Sequence, residues 1–377
     1  MVFWKKKDKN HSSSPQEIQL APGTPARPDH VLVWIDAAYA DLPARFVRGL
    51  ALAEAFRQAA VPNVTLACLP TRNLPGAAEE RNIHWLNIRP NGAPVLFSEI
   101  LETTQADLVL ADCLTPPRFQ PTPWLALFAL ISDSYSDSLL ASSAVDSLLL
   151  PGLVSPPVFA ALSLPPSRMA DCFHGTRYLP LPALYFADKA KADDASAGPP
   201  EEKRFLIAVS VHVNPDSIAM LVECLRESGT GRIQILADVS QTAADRLRDS
   251  LAGDIEWLHD PPLGGRWQII REASWILSYP GLPVYECLLA GQSVILLPRS
   301  DPEERICRLV ESRGAARVIP AQITSDKEKL KTCLNGWLHD ETLYQNLRQN
   351  AREVVEGNGA RNTVEILLNR FRHRKGK

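Results

Sequence analysis

The sequence predicts an α/β protein built from two doubly wound parallel-sheet units in tandem. Three observations carry that prediction. Short apolar segments alternate with segments whose apolar residues recur at helical spacing. The strand segments are apolar at consecutive positions, so both faces need covering, as in a parallel sheet between helical layers. The alternation stops at ADKAKADDASAGPPEEK (187–203), rich in Ala, Asp, Lys, Gly and Pro, and restarts directly after it.

Residues 1–29 are polar and Pro-rich and read as a tail that cannot build a core. The first unit spans 30–186. HVLVWID (30–36) is its first strand, and RFVRGLALAEAFRQAA (45–60) sets Phe46, Leu50, Leu52, Ala53 and Phe56 on or near one helical face. VTLACLP (64–70), IHWLNI (83–88), DLVLADC (107–113), LFALISDS (127–134) and DSLLLPG (146–152) read as further strands, and PVLFSEILETTQA (94–106) as a helix. Residues 187–203 form the linker. The second unit, 204–356, repeats the pattern with strands FLIAVSV, IQILAD, IEWLHD, WILSY, VILLP and ARVIPA, each followed by a helical segment. Residues 357–377 hold a last helix, expected to return to the first unit, and a basic tail.

Composition excludes several classes. A chain of 377 residues is too long for one ordinary core. A formal charge of -3 gives no global attraction to nucleic acid or an anionic membrane, so no nucleic-acid partner is expected. Lys5 to Lys7 and Arg370 to Lys377 read as solvated basic ends. The seven cysteines are odd in number, scattered and without a C-x-x-C pair, which points to reduced buried thiols and to neither a disulfide framework nor a zinc site. No signal-peptide core follows Lys7, and Pro151, Pro156 and Pro157 interrupt the apolar run from Leu148 to Leu164, so no membrane span is expected. The expected location is cytoplasmic. G-x-x-x-x-G-K-[ST] is absent, and the turn after the first strand reads DAAYADLPA rather than G-x-G-x-x-G, so no cofactor of the dinucleotide type is expected. Oligomeric state is not readable.

Doubly wound sheets bind ligands at the carboxyl ends of their strands. Asp36, Asp112 and Asp133 stand there in the first unit, where each either faces a cleft or caps the following helix. His212 and His259 end strands of the second unit; a lone histidine there is more often structural than catalytic. SYPGLPVYECLLAGQSVILLP (278–298) is the most specific stretch: a strand ends at Ser278-Tyr279, Pro280-Gly281 turns, and a helix carries Tyr285-Glu286. Either Gly281 only makes a tight turn and Glu286 is solvated, or the helix start attracts an anion while Glu286 binds hydroxyls.

The stretch from Glu272 to Ile319 resembles the nucleotide-binding segment of two-domain, Rossmann-like GT-B sugar-nucleotide enzymes, a group that includes the UDP-GlcNAc transferase of lipid II synthesis. There a strand leads to a Gly-Gly-Ser/Thr turn, a [TW]-x-x-E helix and a G-x-P strand. IDAAYADLPARFVRGLALAEAFRQA (35–59) is similar to the opening of the UDP-sugar hydrolases of pseudaminic acid (nonulosonic acid) synthesis, approximately R-x-D-A-x-x-x-x-G-x-G-H-x-x-R-x-L-A-L-A-x-x-L. HGTRYLPLPALYF (174–186) and GNGARNTVEILL (357–368) match the same family in order.

The resemblance implies a nucleotide sugar, UDP-linked, in the interdomain cleft. Glu286 would hold the ribose hydroxyls. Gly281 and Leu282 would face the diphosphate with Ser278 and Tyr285 beside them, and Arg45 or Arg48 would face sugar or phosphate together with Asp112 and Asp133. The departures concern chemistry. The family's Gly-x-Gly-His falls on Leu42, Pro43, Ala44 and Arg45, its Gly-Gly-Ser-Thr on Pro280 to Pro283, and its Asn-Gln on Pro302-Glu303. Proline removes a backbone donor, and arginine cannot serve as a general base at neutral pH. Asp36 and His212 are then the candidate bases. Three readings stay open: a UDP-sugar hydrolase, a catalytically decayed relative acting as a binding or scaffold protein in surface-glycan or flagellar glycosylation, and a glycosyltransferase with another nucleotide-sugar donor.

Overall fold

The computed structural model describes residues 26–36, 42–69, 74–89, 95–113, 117, 122–131, 145–152, 171–187, 203–209, 213–228, 231–237, 239, 241–251, 253–259 and 261–375. Residues 1–25 of the tail, Asp133, His212 and most of the 187–203 linker lie outside these residues.

The first unit runs β1 (His30–Ile35), α1 (Leu42–Gln58), β2 (Asn63–Cys68), α2 (Leu74–Glu79), β3 (His84–Asn87), α3 (Phe97–Thr104), β4 (Leu108–Asp112), β5 (Leu127–Ile131), β6 (Ser147–Leu150) and β7 (Cys172–His174). Its strands form one parallel sheet in the order β3-β2-β1-β4-β5-β6-β7. A 3-10 turn (Thr176–Tyr178) and the short helix α4 (Leu184–Ala187) lead toward the second unit.

That unit comprises β8 (Arg204–Val209), α5 (Pro215–Glu227), β9 (Arg232–Ala237), α6 (Gln241–Ser250), β10 (Glu256–His259), α7 (Leu263–Glu272), β11 (Trp275–Ser278), α8 (Leu282–Leu289), β12 (Ser293–Leu296), α9 (Asp301–Glu311) and β13 (Ala316–Val318), followed by α10 (Lys327–Leu338) and α11 (Glu341–Val354). Its parallel sheet has the order β10-β9-β8-β11-β12-β13.

Each sheet is covered on both faces, which is why strands such as β4 and β5 are buried at every position. In the first unit Val31, Val33 and Ile35 face one core and Leu32 and Trp34 the other. The predicted face of α1, Phe46, Leu50, Leu52, Ala53 and Phe56, lies in the first of these cores. Helix starts follow from short-range chemistry: Asn214 accepts the Asp216 N–H ahead of Pro215, while Asp326 and Asp340 cap α10 and α11 in the same way.

Two elements carry no signal in the sequence. β7 has three residues, with only Cys172 buried, so no apolar run marks it. α2, LPGAAE, contains both Pro and Gly and forms in spite of its propensity.

The final helix, α12 (Gly359–Lys375), belongs to the core of the first sheet, where Val364, Leu367, Leu368 and Phe371 pack. Its first residue must be glycine: a Cβ there would meet the Leu179 carbonyl oxygen at 1.9 Å. Asn362 and Thr363 then donate to the carbonyls of Arg177 and Tyr178. The two units also share a core, in which Val47 of α1 and Leu179, Leu181 and Tyr185 pack with residues of α7, α8 and α11. Among the described residues no helix is long and apolar enough to cross a membrane.

Candidate functional site

Each sheet has one switch point, where the winding reverses and the loops at the carboxyl ends diverge. In the first sheet it lies between β1 and β4, in the second between β8 and β11.

At the first switch point α1 presents Arg45 and Arg48, three residues apart and so on one face, to Asp112 at the end of β4. Arg45 Nη1 donates to Asp112 Oδ1 at 2.8 Å, and Arg48 donates through Nε to Oδ2 at 2.8 Å and through Nη2 to Oδ1 at 2.7 Å. All three side chains are buried. A carboxylate removed from water persists only when its oxygens are filled, and these two guanidinium groups fill them. The expectation that Arg45, Arg48 and Asp112 face a ligand is therefore corrected: they face one another. Asp36 follows β1, donates its backbone N–H to the Asp112 carbonyl at 3.0 Å and is half-buried.

A second closed cluster surrounds Glu286. The expected accessible carboxylate is fully buried, at 0% exposure. Arg266 of α7 donates to it through Nε at 3.0 and 3.1 Å and through Nη2. The Tyr185 hydroxyl donates to Oε1 at 3.1 Å, and its ring stacks on Trp267 with centroids 4.4 Å apart. Glu286 thus has no oxygen turned to ribose hydroxyls; it ties α7 and α8 to the segment arriving from the first unit. Sequence reading missed Arg266 and Tyr185, although a glutamate in so apolar a helix requires a buried cation somewhere.

The turn before α8 is likewise packed. Gly281 has φ 151° and ψ -170°, a region essentially reserved for glycine, so the turn itself explains this residue. Leu282 is buried in the shared core with Val284, and Tyr285 packs against it half-buried. Ser278 is wholly buried and donates its hydroxyl to the Tyr279 carbonyl. Pro283 has no N–H, and that of Val284 bonds the Gly281 carbonyl at 3.2 Å. The predicted diphosphate cradle is short of donors, and the roles assigned to Ser278 and Leu282 do not fit their burial.

An open space does exist at the second switch point. A cavity of about 210 Å³ lies beyond the carboxyl ends of β8, β11 and β12, between the start of α5 and Leu330 of α10. Tyr279, 6% exposed, lines it, and among the described residues its hydroxyl has no hydrogen-bond partner. Burial pushes the phenol above its ordinary range, so it stays neutral. His259 makes a structural bond from Nε2 to the Val239 carbonyl at 2.9 Å. Asp133 and His212 lie outside the described residues.

No protein-family model and no curated protein matches the chain. Solved structures do. The S. aureus MnaA–UDP co-structure aligns with 89% of this chain and 95% of its own at 14% identity and a TM-score of 0.60. UDP-GlcNAc 2-epimerase from Neisseria meningitidis bound to UDP-GlcNAc aligns with 90% and 99% at 12% identity and a TM-score of 0.56. Spinosyn rhamnosyltransferase SpnG complexed with thymidine diphosphate aligns with 90% and 99% at 16% identity and a TM-score of 0.58. The chain has the two-domain α/β fold of these proteins, the GT-B fold.

Proposed function

We propose that this protein binds a nucleotide sugar at the carboxyl ends of its sheets and hydrolyses it very slowly or not at all. The fold supports the first half, since it is shared over about nine-tenths of the chain with structures holding UDP, UDP-GlcNAc or thymidine diphosphate. One observation carries the second half: Arg45, at the position of the family's His, is locked with Arg48 onto Asp112 inside the first unit. A general base contributes about 10²- to 10⁴-fold, and neither that arginine nor the carboxylate it covers can serve as one. Together these features favour a binding or scaffold role in glycan assembly over the UDP-sugar hydrolysis of pseudaminic acid synthesis.

The hydrolase is the second reading, and Asp36 is the observation that favours it. It stands half-buried at the end of β1 beside the switch point, the position from which a carboxylate could activate water. Calorimetry with UDP, thymidine diphosphate and their sugars, with release of free nucleotide followed in parallel, tests both. Binding without release supports the proposal. Brisk release by the wild type that vanishes in Asp36→Asn would establish the hydrolase, and the absence of all binding would remove nucleotide sugars from consideration.

A further inference from the structure

The first sheet carries another polar cluster, at the amino ends of its strands and so away from the switch-point loops. His30 opens β1, His84 opens β3, and Thr65 stands on β2 between them. The Thr65 hydroxyl lies 2.8 Å from His30 Nε2 and 3.3 Å from His84 Nδ1. Thr65 is buried, His30 half-buried and His84 exposed, so the cluster runs from solvent into the sheet. The titratable groups facing His30 come from three elements: His84 of β3, Asp107 ahead of β4, and Lys375 of α12 beside Asp107. Asp107 also accepts the backbone N–H groups of Asp29 and His30, at 3.2 and 3.1 Å.

One hydroxyl between two imidazoles has one proton to give, and that sets the direction of both bonds. The Thr104 carbonyl accepts from the His30 ring. A neutral imidazole has a single N–H; placed on Nδ1, toward Thr104, it leaves Nε2 as the acceptor. Thr65 then donates to His30, and its oxygen accepts the Nδ1–H of His84. A proton arriving on His30 Nε2 reverses the chain: His30 donates to Thr65, Thr65 donates to His84 Nδ1, and His84 keeps its own proton on Nε2 instead. A second proton has no such place. Both rings would donate to one oxygen, the hydroxyl proton would lose its acceptor, and two cations would face each other. The element free to yield is β3, an edge strand of four residues that pairs only with β2 and has no fully buried residue. We propose that His30, Thr65 and His84 form an acid-sensitive latch, which takes one proton in place and a second only as β3 leaves the sheet. Burial holds the His30 ring below its ordinary 6.5, with His84 adding to the effect and the Thr104 carbonyl and Asp107 opposing it. Stability contributed by the neutral ring is therefore fully present above pH 6.5 and lost as pH falls below it.

The test is nuclear magnetic resonance of the full-length protein labelled with ¹⁵N in its histidines, titrated with acid, with hydrogen exchange of β3 followed in parallel. His30→Gln identifies the His30 signals. At about pH 8 both rings should be the Nδ1–H tautomer. His84→Phe removes the competing ring, so the His30 midpoint should rise toward 6.5. In a Thr65→Val background the same exchange should move that midpoint less than half as far, and Thr65→Ser should behave as the wild type. Corrected for intrinsic rates, exchange of the β3 amides should speed by up to about tenfold per pH unit from roughly pH 6.5 to 5, the linkage expected for one proton taken up on opening. The central strand β5 should show no such acceleration, and neither should β3 in His84→Phe. An Nε2–H tautomer of His30 at pH 8 overturns the latch. So does a His30 midpoint unmoved by His84→Phe, or acid-driven exchange in β3 that only matches that in β5.

Discussion

Arg266 and Glu286 form an ion pair at 2% and 0% side-chain exposure, held by three hydrogen bonds and completed by the Tyr185 hydroxyl. The pair lies where α7, α8 and the segment crossing from the first unit meet. Its strength as a contact says little about its net worth, because both charges were taken from water to make it. What it does provide is a demand for one arrangement. Any relative movement that withdraws Tyr185 from Trp267 also uncovers a carboxylate in an apolar surrounding.

Removing one partner should therefore be far worse than removing both. Arg266→Met leaves Glu286 buried without its cation, and the expected loss is about 3–5 kcal/mol. The double variant Arg266→Met with Glu286→Leu should regain most of that loss. Urea unfolding of the three proteins measures both quantities. A double variant no more stable than Arg266→Met would show that the packing of Arg266, and not the stranded charge, sets the cost.

The cluster at the first switch point yields a prediction with the opposite emphasis. Asp112→Asn keeps the shape but removes the charge that both Arg45 and Arg48 face. The two guanidinium groups would then lose the carboxylate they share, and the expected destabilisation is again about 3–5 kcal/mol. Arg45→Ala should be milder, because Arg48 alone still bridges both Asp112 oxygens. Chemical denaturation ranks them; a milder Asp112→Asn would mean that another carboxylate balances the arginines.

Much of the fold was legible because burial on both faces leaves a mark in sequence. Strand Leu127–Ile131 is apolar throughout and Trp275–Ser278 is apolar but for its last residue, and α1 carries its inward face at helical spacing. β7 was not legible, since a short edge strand with an exposed His174 has no such pattern. The site was legible only in part. Chain position placed Asp36 and Asp112 at strand ends and the resemblance placed Arg45, Arg48 and Glu286 at the cleft, but neither could say which charges would find each other. Arg266 lies 20 residues from Glu286 and Tyr185 lies 101, and no local spacing announces either contact. The resemblance to a ligand-binding motif also biased Glu286 toward an exposed role that its apolar helix, LPVYECLL, argued against.

Alkaline conditions should destabilise the protein through its thiols. Burial pushes Cys68 and Cys307 up to about 12 and Cys172 up to about 11, from an ordinary 9.0. The folded chain keeps these protons where the unfolded chain has begun to lose them. Stability contributed by the neutral thiols is therefore fully present below pH 9 and lost as pH rises toward 11–12. Each thiol contributes a slope of at most ~1.4 kcal/mol per pH unit. Under reducing conditions the urea midpoint should be flat from pH 7.5 to 8.5 and fall between pH 9 and 10.5. Burial raises Cys113 and Cys224 as well, so Cys307→Val should reduce that slope by no more than about a fifth of the thiol contribution, and an unchanged slope would exclude Cys307 from the effect.

The last prediction concerns α12, which follows the whole second unit in sequence yet completes the core of the first. Two kinds of contact hold it, and they differ in weight. Phe371 is fully buried among residues of the first sheet and α1. Arg370, Arg374 and Lys375 lie against Asp171, Asp146 and Asp107, acids that stand just before β7, β6 and β4. Those pairs are partly exposed, and such pairs contribute about 0–1 kcal/mol each, less in high salt. Phe371→Ala removes a large ring from a filled interior and should cost about 3–5 kcal/mol. Replacing Arg370 and Arg374 with alanine together should cost no more than about 2 kcal/mol, and most of that loss should vanish in 0.5 M salt (a Debye length of roughly 4 Å). Hydrogen exchange locates the damage. Phe371→Ala should speed exchange in β1, β4 and β5 of the first sheet while β8 and β11 of the second keep their protection. Equal loss of protection in both sheets would mean that the two units unfold as one, with α12 and the shared core around Val47 and Tyr185 coupling them.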